Sequence, residues 1–279
     1  MAKTVHRIDF KPTSVPNLST LRIIMAIIKQ LYRYPLKGCS PESLSSVAVE
    51  VGKAIKSDRC LAFAHQTTRF DPRVPRHHPK TDFLMLMKNE KLSALQTSFD
   101  ETTRTLHIQP PGAAAVSGQV DTAAGRQRLE DFMMEYLGSE IPAPPKLVYA
   151  QDIDYTFSDV AARVISCINL ATLRELEPVF GKELHPLRFR ANLYFDGGAA
   201  FEELDWIGKT FQLGTATVKV LKAIERCAAT DVNPETAQRD LQIPQTLIKT
   251  FGYRNCGIYV QVIEAGEISV NQTFEIPTA

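Results

Sequence analysis

Short apolar runs separated by polar and turn-forming residues dominate the first 110 residues of the chain. The run at residues 21–28 contains Arg22 and is too short to cross a membrane, so we interpret it as a β-strand. The strand-like segments of this half are LRIIMAIIKQLYRY, CLAFAHQ, DFLMLMK, LSALQTS and TLHIQ. Proline, aspartate and asparagine clusters separate them, and this half is therefore predicted to be built from short strands.

Helical spacing appears only beyond the small, uncharged segment at residues 110–118, where we place a boundary. Apolar residues recur at helical spacing over residues 122–137, and Gly138 follows as a natural stop, which predicts an amphipathic helix. A second helix is predicted over residues 171–180, capped by Asn169, after a buried strand in RVISCIN. The remaining strand-like segments are NLYFDG, KTFQL, TATVKVLKA, CGIYVQVIEAG and TFEI. The pattern predicts an α+β fold that is mainly β, with two helices in its second half.

Composition and charge narrow the function classes. The chain has 279 residues, of which 44% are hydrophobic, so it can bury a sizeable core and is not disordered. The 32 basic and 31 acidic side chains leave a net charge of +1, which excludes the broad basic surface of a nucleic-acid-binding protein. The five cysteines are odd in number and form no CxxC pair, so we expect no disulfide framework and a reducing, cytoplasmic location.

Several common motifs are absent from the sequence. Gly208, Lys209 and Thr210 resemble the end of a phosphate loop, but Glu203 stands where that motif requires glycine. The sequence contains no GxGxxG, GxSxG or HExxH motif. His77 and His78 are adjacent, and neighbouring residues on a strand point in opposite directions, so we predict a solvated loop there rather than a shared metal.

Cys227 is the cysteine whose surroundings favour chemistry. Lys222 and Arg226 precede it, and two cations that converged on the thiol would favour the thiolate, which attacks electrophiles and binds soft metals. The alternative is a small buried hydrophobic residue, the usual role of a lone cysteine.

Two further segments, RYPLKGCS and LRFRANLYFDGG, are rich in groups that bind anions. In the second, Arg188 and Arg190 alternate with Phe189, so on a strand both guanidinium groups would face one side and could bind a phosphate. The alternative is an exposed basic edge that discourages strand addition.

Six segments of the chain resemble MOSC-domain proteins, a family named after the C-terminal domain of molybdenum cofactor sulfurase. In order they are YRYPLKGCS, SDRCLAFAH, INLATL, RFRANLYFDG, FEELDWIGKTFQLG and ERCAATDVNPETA, and the resemblance covers residues 26–277. It implies an N-terminal extension at residues 1–24, a β-barrel-like module at 25–110 and a β-barrel MOSC domain at 111–279.

The resemblance also implies a site in a cleft between the two modules. Cys227 matches the cysteine that ligates molybdenum in the reductase branch of the family and is proposed to hold sulfur in sulfurase-type members. The positions that match contacts to the phosphate and pterin of the molybdenum cofactor are Lys37, Arg59, Arg190 and Asn192, with Arg226 beside the ligand cysteine. Arginine and lysine side chains can bind a phosphate, and an asparagine amide can form hydrogen bonds with the edge of a pterin. The residue types at these positions therefore agree with the contacts that the resemblance implies.

The activity that the resemblance implies is the reduction of small N-hydroxylated compounds at molybdenum, in the manner of amidoxime-reducing component proteins. Electrons would come from a separate protein carrying an iron-sulfur cluster, flavin or haem, and neither nucleic acid nor a membrane is an expected partner. One alternative is a non-redox carrier or transferase of cofactor or sulfur that uses a Cys227 persulfide. Another is an interaction module that has lost the cofactor. Pyridoxal phosphate binding is a further property associated with the family, although we recognise no desulfurase domain in this chain.

The sequence departs from the family pattern in two places. Gly38 stands where the amidoxime-reducing branch has serine, and the segment RFDPRVPRHHPKTDF at residues 69–83 replaces a shorter turn. No ferredoxin-like segment is recognised after residue 277. Asp231, Glu225 and Glu202 are near the cysteine or its cluster in sequence, and none of them is assigned as a proton donor.

Overall fold

A computed structural model describes residues 24–150 and 155–277 of the chain. The helices are α1 (Ala123–Leu137), α2 (Leu170–Phe180) and α3 (Ile243–Phe251). The strands are β1 (Met25–Arg33), β2 (Glu42–Ser43), β3 (Ser46–Val49), β4 (Leu61–Ala64), β5 (Gln96–Asp100), β6 (Thr105–Gln109), β7 (Val116–Gln119), β8 (Lys146–Tyr149), β9 (Ile165–Asn169), β10 (Leu193–Asp196), β11 (Thr210–Leu213), β12 (Ala216–Glu225), β13 (Asn255–Glu264), β14 (Gly266–Ser269) and β15 (Thr273–Glu275). The α+β, mainly β fold class is confirmed.

The largest sheet curls into a half-barrel in the order β11-β12-β13-β9-β10-β1-β15, with β2 added to β1. Its pairs are antiparallel except β9 with β10. Because β1 lies between β10 and β15, the first strand of the chain completes a sheet built mainly from the second half. Aromatic side chains fill the core of this sheet, where Trp206 stacks on Phe195 with ring centroids 5.4 Å apart.

A smaller three-stranded sheet, β5-β6-β7, and the β4-β8 pair form a second layer with α1. The buried face of α1 carries Leu129, Met133 and Leu137. The hydrophobic cluster of this layer draws residues from Leu36 through Leu147, so it runs across residues 110–118. The module boundary placed there stays a prediction.

Both predicted helices and the buried strand are confirmed. Thr122 caps α1 by accepting a hydrogen bond from the Gly125 N–H at 3.1 Å, and Gly138 ends the helix. Asn169 caps α2 as expected, and all five residues of β9 are buried. Local capping chemistry and periodicity decide these elements, which is why the sequence predicts them well.

Three sequence expectations were wrong in detail. The DFLMLMK segment is a turn-rich, buried stretch that contributes a single bridge between Phe83 and Ala64, and its Leu84 and Leu86 pack into the core of the second layer without forming a strand. The LSALQTS segment begins in a 3-10 helix, Glu90–Ala94, before β5. Helix α3 was missed, since Pro244 in its first turn resembles a helix breaker although proline is tolerated there.

The N-terminal expectations are only partly covered by the structure. The first strand begins at Met25, and residues 21–23, like residues 1–20 of the predicted extension, lie outside the described residues. Within residues 24–150 and 155–277, no helix combines the length and apolar character needed to cross a membrane.

Candidate functional site

A cavity of about 130 Å³ opens where β9, β10, β12 and β13 meet the turns of the N-terminal layer. All six residues singled out from the sequence line it: Lys37, Arg59, Arg190, Asn192, Arg226 and Cys227. Lys37 follows β1 and Arg59 precedes β4, whereas the other four lie next to β10 or at the end of β12. The fold therefore gathers residues that are up to 190 positions apart in the chain.

Lys37 lies after β1, and its side chain is held by two hydrogen bonds. Its side chain is 7% exposed, and Nζ donates to the Phe157 carbonyl at 2.8 Å and to Asp159 Oδ1 at 2.5 Å. Burial lowers the pKa of Lys37, and the Asp159 carboxylate opposes that shift. A buried ammonium of this kind needs an anion next to it.

Two arginines lie against one aromatic ring. The guanidinium carbons of Arg59 and Arg190 are 4.8 and 4.4 Å from the ring centroid of Tyr34, within cation-π range. Burial raises the pKa of Tyr34 to about 12, so its hydroxyl stays neutral. Arg59 pairs with Asp58, which also accepts a hydrogen bond from the Tyr34 N–H at 2.8 Å.

Arg190 differs from Arg59 because no carboxylate within the described residues pairs with it. Its Nη1 donates to the Cys39 carbonyl at 2.7 Å, while Nη2 is buried and has no hydrogen-bond partner in the described structure. Burial lowers the pKa of Arg190, and the neighbouring Arg59 adds to the effect. The cavity wall thus contains a buried cation that no carboxylate of the described residues pairs with.

The expectation that RFRAN forms a strand was wrong. Residues Pro186–Phe189 form a 3-10 helix, and Arg190 follows in the left-handed region with a φ of 52°. Arg188 turns toward Asp240, to which it is bonded at 2.7 Å, so the two arginines do not form a single fork. Both still line the cavity, because the tight turn replaces the strand alternation in directing them there.

Asn192 and Arg226 are already engaged by the protein. Asn192 Oδ1 accepts hydrogen bonds from the N–H and hydroxyl of Ser166 at 3.1 and 2.7 Å, and its Nδ2 donates to the Tyr32 carbonyl. Arg226 is buried, and its guanidinium donates to the carbonyls of Cys256, at 2.7 Å from Nε, and Phe189, at 2.9 Å. These bonds hold the cavity wall together, and the predicted contacts of both residues with a cofactor stay predictions.

Cys227 is the accessible thiol of the chain. It lies half-buried before the 3-10 helix Ala228–Asp231, whereas the other four cysteines are buried. Burial raises the pKa of Cys39 and of Cys256 to about 12, and it also raises the pKa values of Cys60 and Cys167. Those four thiols are therefore inert packing groups, and Cys227 alone among the five faces the cavity.

The expected convergence of two cations on this thiol occurs only in part. Arg226 lines the cavity beside Cys227, but Lys222 is exposed, lies near the Tyr259 ring at 6.0 Å and is not part of the lining. Glu225 also lines the cavity and pairs outward with Arg254 at 2.7 Å, whereas Asp231 accepts from the Ile243 N–H at 2.7 Å. These contacts assign no proton donor.

Gly38 is required by the backbone at the position where serine was expected. Its φ is +88°, which favours glycine, and a Cβ would lie 2.9 Å from Leu92 Cδ1. The departure from the family pattern therefore follows from the local fold, since a serine here would need a different turn after Lys37.

The charged side chains that line the cavity favour an anionic ligand. The cationic side chains of the lining are Lys37, Arg59, Lys80, Arg188, Arg190 and Arg226, and the carboxylates are Asp58, Asp159 and Glu225. Even with Arg188 paired to Asp240 outside the lining, the cations outnumber the carboxylates, which favours a small anionic ligand. Lys80 and Asp159 were missed at the sequence level, because no motif links the segment at 69–83 or the one after residue 155 to this site.

A model of the MOSC domain family matches residues 153–275. Molybdenum cofactor sulfurase of Homo sapiens is 21% identical over 267 residues, which cover 84% of this chain and 30% of that protein. Mitochondrial amidoxime reducing component 2 of Macaca fascicularis is 28% identical over 139 residues, which cover 45% of this chain and 40% of that protein. The chain thus spans less than half the length of these curated relatives.

Solved structures show partial likeness. The YUAD protein from Bacillus subtilis aligns with 90% of this chain and 94% of its own, at 11% identity and a TM-score of 0.42. YiiM from Geobacillus stearothermophilus aligns with 40% of this chain and 54% of its own, at 20% identity and a TM-score of 0.31.

Proposed function

The chain is a MOSC-domain protein, and from that premise we propose that it binds the molybdenum cofactor in the cavity around Cys227. The cofactor combines an anionic phosphate, a polar pterin and a molybdenum held by a dithiolene. The observation that carries the proposal is the buried Arg190 guanidinium, which has no carboxylate partner in the described structure and one nitrogen without a hydrogen bond. Such a cation is costly unless an anionic ligand joins it.

The residues present fit this group chemically. Lys37, Arg59 and Arg190 supply the positive charge that a phosphate requires, and Cys227 supplies a soft thiolate for the metal. The described residues hold no cluster of three or more His, Cys, Asp or Glu side chains that could bind a metal ion. A metal at Cys227 would therefore not be held by a cluster of protein ligands in the described part of the chain.

The reaction we propose is the two-electron reduction of a small N-hydroxylated compound to its amine or amidine. The substrate takes up two electrons and two protons, its N–O bond breaks, and water leaves. The bound cofactor would supply the redox chemistry, and a separate iron-sulfur, flavin or haem protein would supply the electrons. The relative named mitochondrial amidoxime reducing component 2 supports this choice of reaction.

In this scheme the chain's own residues bind and orient the cofactor. Arg59, Arg190 and Lys37 would hold the anionic group of the cofactor, Cys227 would bind its metal, and the hydrogen bonds of Asn192 and Arg226 would keep the cavity wall in place. Cys227 is thus the proposed metal ligand and catalytic residue.

The test is molybdenum and pterin content after expression in a cofactor-replete host. We expect stoichiometric molybdenum in the wild type, loss of the metal in Cys227→Ser, and loss of both metal and pterin in Arg190→Gln. Cys60→Ala is the matched control, because Cys60 is buried outside the cavity lining and should leave the content unchanged. A wild-type protein that is free of molybdenum, or a Cys227→Ser variant that keeps it in full, would contradict the proposal.

A second candidate is a carrier that receives sulfur on Cys227. The relative named molybdenum cofactor sulfurase and the accessibility of Cys227 favour it. The Cys227 thiolate would take the outer sulfur of a persulfide donor and release the donor as a thiolate, so no external oxidant is needed. A labile sulfur adduct on Cys227 by mass spectrometry, without reduction of N-hydroxylated compounds, would favour the carrier. Pyridoxal phosphate binding and a cytoplasmic location stay predictions.

A further inference from the structure

The ion pair between Lys37 and Asp159 lies at the edge of the cavity and is strongly asymmetric. The Lys37 side chain is 7% exposed and the Asp159 side chain 46% exposed, although Nζ and Oδ1 are only 2.5 Å apart. The second oxygen of Asp159 lies 3.9 Å from Lys80 Nζ. One carboxylate, with a single negative charge, is therefore shared between two of the six cations of the lining.

Asp159 lies on an irregular segment that the site itself holds in place. Phe157, two residues earlier, accepts a hydrogen bond from Lys37 Nζ at 2.8 Å, and its N–H donates to the Arg59 carbonyl at 2.8 Å. Asp159 itself makes its contacts through its side chain. The carboxylate can therefore leave Lys37 while Phe157 keeps the segment attached.

The free energy of exchanging Asp159 for a ligand at Lys37 is favourable only for certain anions. Lys37 cannot stay buried without an anion, so Asp159 can leave only when another negative group takes its place. A half-exposed carboxylate recovers much of its hydration when it turns outward, which lowers the cost of its release. Burial raises the pKa of Asp159, but Lys37, Lys80 and Arg59 together lower this pKa below its ordinary value, so the competing carboxylate is ionised.

We propose that Asp159 is a specificity-determining residue of this site, an internal anion that a ligand's phosphate must displace from Lys37 and Lys80. An acetate or chloride ion offers one charge and gains nothing over the resident carboxylate. A phosphate dianion offers two charges and three oxygens, so it can contact Lys37 and Lys80 together and exchange favourably. The identity of the natural ligand rests on the proposed function, whereas the exchange requires only an anion of this class.

The test uses inorganic pyrophosphate as a probe of the cofactor-free protein, with affinity measured by isothermal titration calorimetry. In Asp159→Asn the amide can still accept a hydrogen bond from Lys37 but carries no charge. We expect this variant to bind pyrophosphate about tenfold more tightly than the wild type, which corresponds to about 1.4 kcal/mol. Acetate should bind measurably to the variant and not to the wild type.

Glu225→Gln is the matched control, because it removes the same charge from the same lining without touching Lys37. Its pyrophosphate affinity should stay within about twofold of the wild type, since its charge faces Arg254 near the surface. An equal gain in pyrophosphate affinity in both variants would show that only the total charge of the lining matters, and it would overturn the proposal. An unchanged or weaker affinity in Asp159→Asn would overturn it too.

A second measurement does not depend on a variant that folds. In the wild type, pyrophosphate should shift the nuclear magnetic resonance signal of the Asp159 side-chain carboxyl carbon while leaving the Phe157 amide protected from hydrogen exchange. An unchanged Asp159 signal at saturating pyrophosphate would contradict displacement. Because neither measurement uses the cofactor, a protein that exchanges pyrophosphate but never contains molybdenum would refute the proposed function and leave this inference standing.

Discussion

Glu203 is a buried carboxyl behind the candidate site, and its environment makes it sensitive to pH. Its side chain is fully enclosed, and both oxygens accept from the Thr172 hydroxyl, at 3.0 and 2.9 Å. Burial raises the pKa of Glu203 to about 7 from an ordinary value of 4.5. The folded state therefore binds this proton more tightly than the unfolded state does.

Because the pKa is raised on folding, the stabilisation from Glu203 is present below about pH 4.5 and lost as the pH rises through 7. We predict that the free energy of unfolding of the wild type falls across this range relative to Glu203→Gln, by an upper bound of about 3 kcal/mol. Urea unfolding at several pH values measures the difference. Glu202→Gln, next in the chain, should follow the wild-type profile, and parallel curves for wild type and Glu203→Gln would contradict the prediction.

At the scale of elements, the start of α2 is tied to the turn after β10 by one side chain. Asn169 Oδ1 accepts from the Ala171 N–H at 3.0 Å, while Nδ2 donates to the carbonyls of Gly197 and Ala199 at 2.9 and 3.2 Å. The sequence pattern predicted only the cap. The two donor bonds depend on where β10 ends, which no local pattern contains.

We predict that Asn169→Ala lowers the free energy of unfolding by about 2–3 kcal/mol, because it removes the cap and the two hydrogen bonds that Asn169 donates to the Gly197 and Ala199 carbonyls. Asn169→Ser keeps the cap oxygen and should lose about half as much. Thr122→Ala, at the more exposed start of α1, should cost only about 1 kcal/mol. Equal losses at the two caps in urea unfolding would show that the tertiary bonds of Asn169 contribute nothing.

At the scale of the whole molecule, a net charge of +1 conceals a local excess of cations. The cavity lies between the curled sheet and the N-terminal layer, so both halves of the chain contribute to it. Arg59 and Arg190 contact the same Tyr34 ring, but Asp58 forms an ion pair only with Arg59 and acts on Arg190 from a longer distance. The protein without a ligand therefore contains a buried cation with no ion-pair partner among the described residues, and a bound anion would stabilise it.

This imbalance predicts opposite effects for two similar substitutions. In the cofactor-free protein, Arg190→Met should raise the free energy of unfolding by about 1 kcal/mol, because a buried unpaired cation is replaced by an apolar side chain. Arg59→Met should lower it by about 3 kcal/mol, since it leaves Asp58 buried without its partner. Both should lose anion binding. Thermal unfolding measures whether each substitution raises or lowers the stability of the protein. A change in the same direction for both variants would contradict this account.

The sequence by itself determined the elements that local chemistry decides: the mainly β class, the caps and ends of α1 and α2, the buried β9, and the family resemblance. It also singled out six residues that the fold brings to one cavity. Only the tertiary structure decided the conformation of RFRAN, the start of α3 and the partners of Lys37, because each depends on contacts between distant segments. For the same reason no sequence pattern could predict the ion pair between Asp159 and Lys37. Nor could it show that Asn192 and Arg226 form hydrogen bonds within the protein, whereas one buried nitrogen of Arg190 has no hydrogen-bond partner in the described structure.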